Sequence, residues 1–276
     1  MSIKQIHILN GESTEKYLSK AKLKLDTLVW QEIFSEGPKS YFFNRPFLEQ
    51  RKAFIAEFFD CTIESFAMKY NNFFNRMELL HNYKEVVLWF EEDLFCVWNM
   101  MACISYLHQY YPSKTISLVC PGNLMDTGDK NLIHLFSPNE LETLFQNRIT
   151  LNEEAILIAD QFWKAVSENY QDTVTAFADK MVDPFPFLAE SMQLEKDRFQ
   201  DLLGLSKLDY RILKMIQKDK YNYNSFVSKF LKEFNVYGYG DAQYFSYLNQ
   251  LKEYYIEMNN GDLVLNPLGE EAIKNA

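Results

Sequence analysis

The chain has 276 residues, 47% hydrophobic and 24% charged, with only 9 Gly and 8 Pro. This excludes disordered, collagenous and linker-rich classes and leaves enough apolar mass for one large core or two modest ones. With 28 Lys and Arg against 38 Asp and Glu, the net charge of −10 repels nucleic acid and anionic membranes unless a local basic patch overrides it.

The charge is unevenly spread. Residues 206–276 balance nine basic against nine acidic side chains, so the whole excess of ten negatives lies in residues 1–205. The 23 Phe, 17 Tyr and 4 Trp are read first as core. Cys61, Cys96, Cys103 and Cys120 form no C-x-x-C pair and sit in largely apolar stretches, which points to reduced core thiols and a cytoplasmic protein. His7, His81, His108 and His134 are scattered, against a His-rich metal site. No export signal is read at the N-terminus, and the most apolar run, Leu94 to Leu107, is too short and too interrupted to span a membrane.

In chain order, strands are predicted at Ile6–Leu9, Thr27–Trp30, Val86–Phe90 and Ile116–Cys120, each followed by a turn and most by a helical pattern. Strand then helix, repeated, means α/β with a parallel sheet. Ser13 or Thr14 is expected to cap the first helix and Asp93 the helix Leu94–Tyr110. A helical insertion is expected over about 46–80, between the second and third strands. Strands are expected to stop beyond Gly122. Ser137-Pro138-Asn139-Glu140 and Thr150-Leu151-Asn152-Glu153 read as capping boxes within a helical connector broken at Asp183-Pro184-Phe185-Pro186. From Ser206 onward come three helices, the third capped by Asp241, and a hairpin about Asn259-Asn260-Gly261. That is the winged-helix order. The expected organisation is an α/β domain over 1–123, a helical connector over 124–205 and a winged-helix-like domain over 206–276.

Ligand sites in parallel α/β sheets lie outside the carboxyl ends of the strands. There the sequence places Glu12 and Ser13, then Glu32, Glu36 and Gly37, then Glu91, Glu92 and Asp93. Such carboxylates suit Mg²⁺, which takes oxygen ligands, and a phosphorylated substrate; the bland alternative is a helix cap and solvated turn residues. Arg51 follows Glu36-Gly37-Pro38 closely enough to fold back over Glu36, as an anion grip or as a structural ion pair. The candidate ligand-binding set is therefore Glu12, Ser13, Glu36, Gly37, Arg51, Glu91 and Asp93. Neither a dinucleotide fingerprint nor a Walker A loop is present, and no nucleophile elbow or Cys–His signature marks a hydrolase.

The predicted third C-terminal helix and wing carry a single cation, Lys252, although Gln243, Tyr244, Tyr247, Asn249 and Gln250 have base-reading chemistry. A nearly neutral face is a poor DNA reader, so protein contact, within the chain or with a second copy, is expected instead.

The segments His7-Ile-Leu-Asn-Gly-Glu-Ser13, Trp30-Gln-Glu32, Glu36-Gly-Pro38, Arg51, Val87-Leu-Trp-Phe-Glu-Glu-Asp-Leu-Phe-Cys96 and Tyr237-Gly-Tyr-Gly-Asp241 resemble an uncharacterised bacterial family, the domain-of-unknown-function family eighteen-thirty-five, in its Bacteroidetes-like form. The resemblance covers nearly the whole chain. It implies an N-terminal α/β domain joined to a helical C-terminal domain, and no known activity. A frequent Gln or Asp-Gln pairing after Leu-Phe is replaced here by Cys96-Val97. Three readings follow: a cytoplasmic ligand-binding or regulatory protein, a Mg²⁺-dependent enzyme acting on a phosphorylated substrate, and a structural partner-binding protein or DNA-binding regulator.

Overall fold

The computed structural model describes residues 4–21, 25–59, 61–122 and 132–274. Two compact units divide the chain, Met1–Ser191 and Met192–Ala276. The expected connector, 124–205, is shared between them at that division.

In chain order the first unit runs β1 (Gln5–Leu9), α1 (Glu12–Lys20), β2 (Thr27–Val29), α2 (Arg45–Phe58), α3 (Ile63–Met77), β3 (Glu85–Trp89), α4 (Leu94–Tyr110), β4 (Thr115–Val119), α5 (Pro138–Gln146), β5 (Ile149–Thr150), α6 (Glu153–Glu168) and α7 (Tyr170–Ala178). Then α8 (Phe187–Lys196) crosses the division. The sheet order is β2-β1-β3-β4-β5, parallel except for β5. The chain is α/β, and α2 and α3 are the insertion expected between the second and third strands.

Register explains the core. Ile6, Val86 and Ile116 align across three strands, as do Ile8, Leu88 and Leu118, and all six are buried. Because alternate residues face opposite ways, Leu9, Val87, Trp89 and Val119 form the other face, packed with Leu18 of α1 and with Leu141 and Leu144 of α5. Both faces are thus covered, as an all-apolar parallel strand requires. On that second face Trp89 Nε1 donates to His7 Nδ1 at 2.9 Å, and burial pushes the His7 pKa down to about 4, so the imidazole is a neutral acceptor. At the amino ends of the strands, burial opposes the charge on Glu85, yet hydrogen bonds from Arg148, Ser117 and Gln5 hold its pKa at about 2.

Several local expectations are corrected. Strands do not stop at Gly122: β5 pairs antiparallel to β4, with Ser117 opposite Thr150. Thr150 is therefore a strand residue, and the cap of α6 is Asn152, whose side chain accepts from the Ala155 N–H. The cap of α1 is Gly11 and not Ser13 or Thr14, which lie inside the first turn, where the Thr14 hydroxyl turns back to Asn10 Oδ1. The Asp93 and Ser137 caps are as expected. Cys61 is exposed, unlike the three buried thiols, because it lies between two helices. Among the described residues no helix is long and apolar enough to cross a membrane; α4, rich in apolar side chains, is a buried core helix packed against α6.

In the second unit α9 (Lys207–Lys218), α10 (Tyr223–Glu233) and α11 (Asp241–Tyr254) precede β6 (Ile256–Asn259), β7 (Asp262–Leu265) and α12 (Pro267–Lys274). Leu208, Ile212, Leu213 and Ile216 supply the buried stripe of α9. The hairpin turns on Asn260 and Gly261, both at positive φ (51° and 90°), the turn whose twist matches the flanking strands. Tyr221 makes an isolated antiparallel bridge to Leu263. Gly240 rather than Asp241 caps α11, its N–H donating to Gln243 Oε1 at 3.0 Å.

Candidate functional site

The strand order places β1 between β2 and β3, so the chain leaves β1 toward one side and returns on the other. Outside the carboxyl ends of β1 and β3 this creates the crevice in which open α/β sheets bind ligands.

Asn10 stands just beyond β1. Its N–H bonds the Trp89 carbonyl at 3.1 Å, its Oδ1 accepts from Thr14, and its Nδ2 donates to Cys96 Sγ at 3.2 Å and, at the long limit of 3.5 Å, to Glu91 Oε2. Beyond β3, Glu91 Oε1 accepts from the Ile133 N–H at 2.6 Å. Asp93 caps α4 through the Cys96 N–H at 2.8 Å. Ligating atoms of Glu91, Asp93 and Cys96 all lie within 4.8 Å of one another.

Burial and the Asp93 charge push the Glu91 pKa up to about 7, and burial pushes that of Asp93 to about 6 in spite of its bonds to Cys96. Burial, then the Asp93 and Glu91 charges, raise the Cys96 thiol well above its usual value. Near neutral pH the thiol holds its proton, and the two carboxyls take up a proton between them only as the pH falls toward 6. The group departs from the expected Mg²⁺ site, because Mg²⁺ selects an octahedron of oxygens and a thiol held protonated is a poor ligand for softer ions as well.

A second cluster forms where β2 leaves the sheet. Arg51 on α2 donates to Glu32 Oε2 from Nε at 3.0 Å and Nη2 at 2.7 Å, and Tyr70 on α3 donates to the other Glu32 oxygen. Arg51 Nη1 donates to the backbone carbonyls of Glu36 at 2.7 Å and Pro38 at 3.2 Å. The expected fold-back of Arg51 therefore occurs, but onto the Glu36 main chain, with Glu32 as the ion-pair partner. Gly37 is required there: it sits at φ 74°, and a Cβ would meet the Phe54 ring at 2.4 Å. Trp30 Nε1 and the Phe34 N–H both donate to Asn99 Oδ1 at 3.2 Å, tying this turn to α4.

Between β1 and β2 at the same edge lies a cavity of about 190 Å³. Phe59, Phe66 and Phe95, each half-buried, join Trp30, Ile33 and Ile55 as its apolar walls. Its polar lining is Asn10, Glu12, Gln31 and Glu32. Glu12 and Ser13 are exposed in the first turn of α1, whose N-terminus has no side-chain cap. Glu12 and Glu32 thus face one cavity, Glu91 and Asp93 gather around Cys96, and Asn10 belongs to both groups. Glu36, Gly37 and Arg51 instead hold the turn behind the cavity. Sequence reasoning passed over Asn10, Tyr70 and Cys96 as site residues; the Asn-Gly pair ending β1 is the one local signal for any of them.

In the second unit four of the five side chains with base-reading chemistry are engaged within the unit, while Gln250 is exposed. Gln243 closes the α11 cap, the Tyr244 hydroxyl donates to the Phe234 carbonyl at 3.1 Å, Tyr247 accepts from Arg198 at 2.5 Å and Asn249 accepts from Tyr223 at 2.9 Å. Two of the α9 cations, Lys207 and Arg211, both bond Asp197, at 3.0 and 3.1 Å.

No family model and no curated protein matches the chain. Among solved structures, the Plasmodium falciparum topoisomerase II DNA-binding, cleavage and re-ligation domain is similar at 9% identity and a TM-score of 0.44, over 93% of this chain and 43% of that one. The chain thus spans less than half the length of that structure.

Proposed function

We propose that the first unit binds a small molecule at the carboxyl edge of its sheet, as a cytoplasmic ligand-binding or regulatory protein. The observation that carries this reading is the cavity beside Asn10, walled by partly exposed aromatic side chains that a purely structural protein has reason to bury. Its place at the end of β1 adds Asn10 and Gln31 as polar groups that orient a ligand. The Mg²⁺-dependent enzyme is the weaker reading, since the carboxylate–thiol group does not match a Mg²⁺ ligand set.

We read the second unit as winged-helix-like and as an interaction module rather than a DNA reader. Internal engagement of Gln243, Tyr244, Tyr247 and Asn249 supports this, as does pairing of Lys207 and Arg211 with Asp197. The resemblance described above implies the same two-part organisation.

A thermal-shift screen across neutral, cationic and anionic metabolites tests the ligand-binding reading. A ligand at 100 times its dissociation constant stabilises by about 2.7 kcal/mol. The shift is expected to vanish in Ile33→Trp, which fills the cavity. A screen without any stabilising compound favours the scaffold reading.

A further inference from the structure

We propose that the cavity at the ends of β1 and β2 takes an uncharged single-ring carboxamide, its ring among Phe59, Phe66 and Phe95 and its amide paired with that of Gln31; this rests on the ligand-binding reading above. Charge balance is the first reason. Of the two carboxylates in the lining, Glu32 is engaged on both oxygens, by Arg51 on one and by Tyr70 on the other, and Glu12 is exposed to solvent. Arg51 is itself committed to Glu32 and to two carbonyls, and among the described residues none of the lining is basic. An ionic group on the ligand would leave water with no counter-charge to meet it, a cost that a neutral polar group avoids. The N-terminus of α1 attracts anions, but Glu12 and Glu15 occupy its first turn and offset that partial charge.

Polar recognition then falls to Gln31. Asn10 also lines the cavity, but its Oδ1 accepts from Thr14 and its Nδ2 donates to Cys96 and Glu91. Gln31 is half-buried in the lining, and among the described residues nothing bonds its amide. A primary amide donates and accepts side by side, so its complement is a group that accepts and donates in the same way; a carboxamide does both, a carboxylate only accepts and an ammonium only donates. The three Phe side chains meet the ring in stacked or edge contacts. Size limits the ligand further. A cavity of about 190 Å³ lies below the roughly 300 Å³ at which drug-sized pockets begin, which suits one ring with a short arm.

Isothermal titration of the full chain with benzamide, benzoate and benzylamine holds the ring constant and varies the polar group. Benzamide is expected to bind at least tenfold more tightly than either ion and to lose its binding in Ile33→Trp. Gln31→Met, close in size, is expected to weaken benzamide about tenfold while leaving the melting temperature unchanged, and Phe66→Leu to weaken it without altering the preference for the amide. Equal or tighter binding of either ion, a benzamide affinity that Gln31→Met does not alter, or benzamide binding that persists in Ile33→Trp overturns the assignment. Failure of all three probes while another compound from the screen binds in the cavity overturns it but leaves the cavity a ligand site. Failure of every compound overturns this assignment and the ligand-binding reading together.

Discussion

Arg51 and Glu32 are joined by two hydrogen bonds to one carboxylate oxygen, and neither side chain is exposed to solvent. The pair spans α2 and the turn after β2, and it neutralises a carboxylate that would otherwise face the cavity uncompensated. Removing one partner of a buried ion pair costs roughly 3–5 kcal/mol because the other charge stays buried. Arg51→Met is expected to lose stability of that order in denaturant unfolding, while Arg45→Met, at an exposed position of the same helix, loses less than about 0.5 kcal/mol. Similar losses at the two sites would remove the structural role assigned to Arg51.

Glu91 sets a pH dependence of definite sign. Its pKa of about 7 lies above that of an unfolded Glu, so between about pH 4.3 and 7 the folded chain binds the extra proton and stability falls as pH rises. The contribution is complete below the unfolded value and is lost through the folded one, amounting to roughly 3 kcal/mol for Glu91 alone. Glu85 acts in the other direction: with a pKa of about 2, its contribution is present above the unfolded value and disappears as pH falls below about 4. Chemical denaturation from pH 3 to 8 is expected to show Glu91→Gln flattening the slope above pH 4.3 and leaving the acid limb intact. An unchanged upper slope contradicts the assignment.

Gly37 and Gly204 share a left-handed backbone, φ 74° and 75°, but not their surroundings. A Cβ at Gly204 meets nothing within 4 Å, whereas at Gly37 it meets the Phe54 ring. Gly204→Ala is expected to cost only the backbone strain, about 1 kcal/mol, and Gly37→Ala more than about 2 kcal/mol. Phe54→Leu should recover part of the second loss and none of the first. Equal losses in thermal unfolding would show that strain alone governs both positions.

For the second unit, titration of the full chain with a labelled duplex at about 50 mM salt is expected to show no submicromolar binding, because a protein neutralising six to ten phosphates needs a stripe of basic side chains. Here α11 and the hairpin loop present one cation, Lys252, whose ammonium lies over the Tyr223 ring. Tight binding that weakens steeply with added salt would support a transcription regulator.

The parallel sheet was legible because β-branched and apolar runs ending in turns leave few alternatives to buried strands. The two-residue β5 was not, since Ile149-Thr150 is too short to carry a period and its pairing depends on β4. Asp93 and Ser137 were legible as caps because capping is local. Gly11 displaced Ser13 because the last extended residue is Gly11, two positions before Ser13, and the helix already begins at Glu12. The Arg51–Glu32 pair has no local signal: Arg51 stands on α2 and Glu32 in the turn after β2, nineteen residues apart in sequence. The same holds for the cavity, where Phe59, Phe66 and Phe95 look like core residues in sequence and become a partly open wall through the placement of three helices around one strand end.

Small-molecule binding at the carboxyl edge of the sheet is the central claim, and soaking crystals of the full chain with a library of single-ring compounds tests it most directly. The expected result is bound compounds concentrated between Phe66 and Phe95 next to Glu12, displaced in Ile33→Trp. Compounds distributed over other surfaces, with only ordered water beside Asn10 at saturating concentration, would contradict it.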